Sequence, residues 1–153
     1  SDLEEFVSAA KKIGYKVKLD TNGSFPDRLI ALVEAGQIDY VAMDVKNSKA
    51  RYAQTVGANV DVAAIEKSVQ YLITQTKIPF EFRTTVTATF HDETSMEELA
   101  KWIEGAPRYY LQQFVDSGDL IDGTVTGATE EQMRKYLQIV RKYVPAAELR
   151  GMD

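Results

Sequence analysis

The chain has 153 residues, 44% of them hydrophobic and 27% charged, the length and balance of about one globular domain. A net charge of −5, from 18 basic and 23 acidic residues, excludes the basic footprint of a general nucleic-acid binder. The lack of cysteine excludes disulfides, thiolate nucleophiles, zinc fingers and cysteine-ligated iron–sulfur clusters, and a single histidine, His91, excludes two-histidine metal motifs.

Leu3, Phe6, Val7, Ala10 and Ile13 recur at helical spacing. Asp2 and Glu5 are placed as a capping box and Gly14 as the stop. Tyr15–Asp20 alternates apolar and basic residues with the period of a strand. Thr21-Asn22-Gly23-Ser24 signals a turn, and Pro26 suits the first turn of a second helix that ends at Gly36. Ile38–Val45 reads as the next strand, 47–60 as irregular, and Val62, Ile65, Val69, Leu72 and Ile73 as a third helix.

Pro79–Thr89 is a strand rich in Phe, Thr and Val. Ser95-Met96-Glu97-Glu98 reads as a capping box that opens a helix ending at Gly105. Arg108–Val115 is a strand, and 116–128 a loop rich in Gly and Asp. Thr129–Gln132 caps a last helix to about Val144, and Glu148–Arg150 forms a short final strand. Such alternation implies right-handed crossovers and a parallel α/β sheet in a single domain, 1–153. Periodicity does not choose between a barrel and an open sheet. No apolar run approaches the ~20 residues of a membrane helix, so neither a membrane nor nucleic acid is an expected partner. The chain opens on Ser1 without an initiator Met, and is expected to be an excerpt.

Ligands of parallel α/β folds lie beyond the carboxyl ends of the strands. Those ends carry Asp20-Thr21-Asn22-Gly23, Asp44-Val45-Lys46-Asn47, Arg83 to Thr87 with His91, and Gln112-Gln113. Buried parallel strands are ordinarily apolar, so ionic residues here need a reason. Asp44 and Lys46 are two apart and share a face; a structural ion pair is the alternative, at a desolvation cost. Arg83 shares parity with Glu81, and a salt bridge between them serves equally well. Asp20 also suits a turn that caps its own backbone. Together, two carboxylates, an ammonium and a guanidinium suit a ligand of both signs, such as an amino-acid group joined to a ribose.

His91 reads as an ordinary loop residue, since one imidazole without partners makes no metal site. Asp116, Asp119 and Asp122-Gly123 lack calcium-loop spacing and read as solvated charges. Tyr109, Tyr110 and Phe114 read as core or barrel filling.

In order along the chain stand Lys18-Leu19-Asp20-Thr21-Asn22-Gly23, Tyr40-Val41-Ala42-Met43-Asp44-Val45-Lys46 and Phe82-Arg83-Thr84-Thr85-Val86. Tyr109-Tyr110-Leu111-Gln112-Gln113-Phe114 and Glu148-Leu149-Arg150-Gly151 complete the series. It resembles the later strands of radical SAM activating enzymes, which install glycyl radicals in pyruvate formate-lyase and anaerobic ribonucleotide reductase. The last two motifs lean towards the anaerobic ribonucleotide reductase activators, and the resemblance runs from Leu3 to Gly151.

The resemblance implies a partial parallel (β/α) barrel of the radical SAM, TIM-barrel-like type, lacking its first strands. It implies S-adenosylmethionine as ligand, contacted by Asp20, Asn22, Asp44, Lys46 and Arg83, and more loosely by Gln112 and Gln113. A monovalent cation would be held by Asp20 and Asp44 with the backbone at Thr21 and Ala42. For the parent it implies a four-iron four-sulfur cluster, a glycyl-radical enzyme as partner, a flavodoxin or ferredoxin as electron donor and a cytoplasmic setting. The family's three-cysteine loop and glycine-rich turn are absent from this sequence, so the chain alone is expected to be inactive.

Two other readings stay open. One is a non-catalytic α/β module that binds a nucleoside or a protein. The other is an aldolase-like barrel with Lys46 as Schiff-base amine, which a neighbouring Asp44 opposes by favouring the charged form. Loss of a neighbour beside Tyr15–Asp20 would leave an unpaired edge, through which the excerpt is expected to self-associate or which its own tail would cover.

Overall fold

The computed structural model describes residues 2–57, 59–115 and 125–152. Asp116, Asp119, Asp122 and Gly123 lie outside them. The two sequence periods resolve into α1 (Asp2–Lys12), β1 (Lys18–Thr21), α2 (Pro26–Glu34) and β2 (Tyr40–Asp44). A 3-10 turn (Lys49–Arg51), α3 (Tyr52–Val56), α4 (Val62–Thr74) and β3 (Phe80–Val86) follow. The chain continues with α5 (Glu93–Trp102), β4 (Tyr109–Gln113), α6 (Glu130–Val140) and β5 (Glu148–Arg150). The strands form one sheet in the order β1-β2-β3-β4-β5, the sequential winding expected of helix-crossed parallel strands. Among the described residues no helix is long and apolar enough to cross a membrane.

The chain divides into two compact units, one of Ser1–Asp44 with Asp61–Glu81, the other of Val45–Val60 with Phe82–Asp153. In the first, β1 pairs with β2 in parallel, Lys18 opposite Tyr40 and Asp20 opposite Ala42. Val41 and Met43 are fully buried, and the core is completed by Leu29, Leu32 and Val33 of α2 and Ile65, Val69 and Leu72 of α4. Pro26 opens α2, where its missing N–H costs nothing. Asp61 caps α4 by accepting the Ala64 N–H.

Two expectations shift here. Asp2 is already helical, so it does not act as the N-cap of α1. The first strand begins at Lys18 rather than Tyr15. The Asp39 carboxylate accepts the Val17 N–H at 2.6 Å and the Lys11 ammonium at 2.8 Å. The approach to the strand is therefore held by a side chain, and Tyr15 is exposed.

In the second unit, β3 pairs with β4 and β4 with β5, all parallel. Phe82, Tyr109 and Leu111 are buried with Met96, Leu99 and Ile103 in and beyond α5 and Met133 and Val140 of α6. The final strand, Glu148–Arg150, stands as the sequence indicated. The cap of α5 lies three residues earlier than the sequence suggests. Asp92 accepts the Ser95 N–H and Ser95 Oγ accepts the Asp92 N–H, so Ser95 is the inner partner of the box and not its cap. The box of α6, Thr129 with Gln132, is as expected. The stretch 47–60 is not irregular throughout: it holds the 3-10 turn and α3. Tyr52 is buried there edge-on to Trp102, ring centroids 6.1 Å apart, a tertiary contact that a five-residue helix needs and its own sequence does not announce.

Candidate functional site

In the first unit the candidate residues cluster where β1 and β2 end. Side chains of paired residues in parallel strands project to the same face, and faces alternate along each strand. Lys18, Asp20, Tyr40, Ala42 and Asp44 therefore share one face, while Leu19, Thr21, Val41 and Met43 share the other. Asp20 is exposed and Asp44 half-buried. The turn after β1 is built by its own side chains. Thr21 Oγ1 accepts the Gly23 N–H and Asn22 Oδ1 accepts the Ser24 N–H, each at 3.0 Å. Ser68 donates to the Gly23 carbonyl at 2.7 Å, tying the turn to α4. Asn22 is thus first a turn residue, with its side-chain oxygen committed to the backbone.

The second unit carries Lys46, Arg83, Gln112 and Gln113. Lys46 is half-buried. Its N–H donates to the Tyr52 hydroxyl at 3.0 Å, and its carbonyl lies 2.8 Å from His91 Nε2. Arg83 pairs with Tyr110, Thr85 with Gln112, and Gln112 with Arg150. By alternation Arg83, Thr85, Tyr110, Gln112 and Arg150 share one face. The Arg150 guanidinium lies 3.7 Å from the Tyr110 ring centroid, a stacked cation–π pair.

Gln113 falls on the opposite face and donates to the Ala128 carbonyl at 2.7 Å. The structure so keeps Gln112 with Arg83 and separates Gln113 from both. Tyr109 is wholly buried with its hydroxyl on Thr84 Oγ1, as core filling requires. Tyr110, one residue on, faces the other way.

His91 is not an ordinary loop residue. It is buried, and its ring bridges backbone groups of two segments. Nδ1 accepts the Thr87 N–H at 3.0 Å, so the ring hydrogen sits on Nε2 and is donated to the Lys46 carbonyl. Burial lowers the proton affinity of the ring, against opposing pulls from its backbone bonds and Asp92 and a smaller push from Arg51. One residue on from Lys46, the buried Asn47 amide donates to the Phe90 carbonyl at 2.7 Å and to Thr55 Oγ1 at 2.9 Å. No spacing rule exposes this pairing, because its partners are backbone atoms 43 and 45 residues away.

Among the described residues no three His, Cys, Asp or Glu side chains gather as a metal site. With no cysteine in the sequence, these residues do not fit a four-iron four-sulfur cluster. Taken separately, the first unit offers carboxylates and turn amides at its strand ends, and the second an ammonium, a guanidinium and an amide.

No family model matches the chain. It is 31% identical over 97% of its length to a protein of Methanocaldococcus jannaschii that carries the provisional name of glycyl-radical enzyme activating enzyme. The chain spans 64% of that relative's length. Its fold is that of a domain of pyruvate-formate lyase-activating enzyme from Bacteroides vulgatus, with a TM-score of 0.77, 15% identity and coverage of 96% of this chain and 88% of that one. A radical SAM methyltransferase from Sphaerobacter thermophilus matches with a TM-score of 0.72 and 15% identity, over 88% of this chain and 40% of its own. The chain is accordingly similar over nearly its whole length to a protein named as a glycyl-radical enzyme activating enzyme, and it shares the parallel α/β fold of the two solved structures.

Proposed function

We propose that the chain is the S-adenosylmethionine-binding part of a radical SAM activase that generates a glycyl radical on a partner enzyme of the anaerobic ribonucleotide reductase or pyruvate formate-lyase type. The homology to a named activating enzyme over nearly the whole chain supports this reading most strongly. Asp20 and Asp44 would take the ligand's amino group and hydroxyls, since carboxylates accept such donors, and Asn22, its oxygen held in the turn, would offer its side-chain NH2 as a donor. Lys46 and Arg83 would take its carboxylate, with Gln112 and, more loosely, Gln113 towards the adenosyl end. Asp20 and Asp44 with the carbonyls of Thr21 and Ala42 would hold a monovalent cation, a hard ion suited to oxygen donors.

S-adenosylmethionine supplies a 5′-deoxyadenosyl group when its sulfonium is reductively cleaved. These residues bind and orient; the cluster's thiolates are not among them, and this chain alone is inactive. A flavodoxin or ferredoxin would serve the parent as electron donor. The chain also self-associates through its first strand, because β1 stands first in the sheet order and Ile13 and Tyr15 are exposed beside it.

The gene's complete reading frame tests the proposal. It is expected to encode a three-cysteine loop upstream of Ser1, and its anaerobically prepared product to release 5′-deoxyadenosine from S-adenosylmethionine. A start codon near Ser1 with no such loop would contradict the proposal and favour a non-catalytic α/β module.

A further inference from the structure

We infer that His91 is a positioning residue for Lys46, fixing the backbone from which that ammonium reaches its ligand. The inference rests on the reading of Lys46 as a ligand-contacting group.

Lys46 lies two residues beyond the end of β2, directly after Val45, whose N–H donates to the Arg83 carbonyl at 2.8 Å. Side chains add to that backbone tie. The Tyr52 hydroxyl accepts its N–H at 3.0 Å, and His91 Nε2–H donates to its carbonyl at 2.8 Å. Asn47 adds a second link to the same loop, through the Phe90 carbonyl. The loop is firm enough to act as an anchor. Thr87 Oγ1 accepts the Phe90 N–H, the Thr87 N–H meets His91 Nδ1, and the Tyr136 hydroxyl donates to the His91 carbonyl at 3.4 Å. Ala88 N–H reaches the Thr126 carbonyl at 2.7 Å, and Thr87 bridges to Gly127.

Only a neutral imidazole with its hydrogen on Nε2 accepts from Thr87 and donates to Lys46 at once. The groups facing it are consistent with that form. Asp92 and Arg51 lie beside it as a pair at 2.7 Å, their charges largely offsetting, and the remaining partners are neutral backbone and hydroxyl groups. A buried ring in such a place is built for geometry, since a leucine would fill the volume without linking the two segments.

Two variants separate the ring's two bonds. His91→Gln retains a donor at the Nε2 position towards Lys46; His91→Asn retains an acceptor at the Nδ1 position towards Thr87. Amide hydrogen exchange by NMR is the first readout. In His91→Asn the Lys46 amide, whose own N–H is held by Tyr52, should exchange about tenfold faster because the residue loses the bond that anchors its carbonyl, with core amides such as Leu99 and Met133 unchanged. His91→Gln should restore Lys46 protection.

Uniform acceleration of all amides, an unchanged Lys46 in His91→Asn, or failure of Gln to restore it would overturn the inference. If neither variant folds, ring nitrogen shifts of the unaltered chain decide: a hydrogen on Nδ1, or a charged ring at neutral pH, overturns it. Titration with S-adenosylmethionine separates the two levels. If Lys46→Ala leaves the ligand-induced shifts unchanged, the functional reading of Lys46 fails. If Lys46→Ala weakens them while His91→Asn does not, the positioning role alone fails.

Discussion

The Tyr40 hydroxyl donates to Glu81 Oε1 at 2.8 Å, and Glu81 is 3% exposed. A carboxyl group this deep in a parallel sheet is costly unless its oxygens are met. Tyr40 therefore serves the polar face of β2 by satisfying an acid, while Lys18 lies over its ring at 5.6 Å.

Removing the hydroxyl by Tyr40→Phe keeps the ring and withdraws the donor. It should cost about 1–3 kcal/mol, the usual penalty for a buried acceptor losing a partner. Urea denaturation of the two proteins measures it. Equal stability would mean that other partners already satisfy Glu81.

Gly23 should not tolerate a side chain. Its φ is +75°, and an added Cβ would overlap the Met43 thioether, which is fully buried. Gly23→Ala should cost about 1–3 kcal/mol from left-handed backbone strain and overpacking. Because the same turn carries Asn22, amide shifts of residues 20–24 should move with it, whereas Gly36→Ala, with the same sign of φ but open space around it, should pay strain alone.

Stability should fall on the acid side in two stages. The His91 ring holds its proton less readily when folded, mainly through burial. The unfolded chain then binds the proton first, so stability is full above about pH 6.5 and declines as pH falls below it. Asp39 and Asp92 are both held below the usual carboxylate range, Asp39 first by Lys11 and Asp92 first by the Ser95 N–H. Their contributions are present above about pH 4 and are lost as pH falls further. Midpoints of urea unfolding between pH 3 and 8 should show both declines, and His91→Gln should abolish the first only.

Self-association should appear as a mass that rises with concentration in light scattering after gel filtration. Charge beside the first strand opposes it, so Tyr15→Lys, at an exposed position, should keep the chain monomeric. A monomer at every concentration of the unaltered chain would contradict the proposal.

The alternation of helix and strand, and the parallel winding that follows from it, could be read from apolar spacing at Leu29, Leu32, Ile65 and Val69 and from the β-rich run 80–86. The strand-end residues Asp20, Asp44, Lys46 and Arg83 stood out because ions are out of place in buried strands. What escaped was tertiary. The onset of β1 is decided by Asp39, α3 is held by Tyr52 against Trp102, and His91 is made structural by backbone atoms far away in sequence. Ser95 looked like a cap because serine caps well, but Asp92 caps equally well and lies one turn earlier. Gln112 and Gln113 could not be told apart until the register with Arg83 was known.

The most direct test of S-adenosylmethionine binding by these strand ends is an NMR titration of the isotope-labelled chain with that ligand to millimolar concentration. Weak shifts confined to residues 20–22, 44–46, 83 and 112, or none, are predicted, because polar strand ends are present while the cluster's contacts are lacking. Shifts centred elsewhere, or tight binding without a cluster, would contradict it.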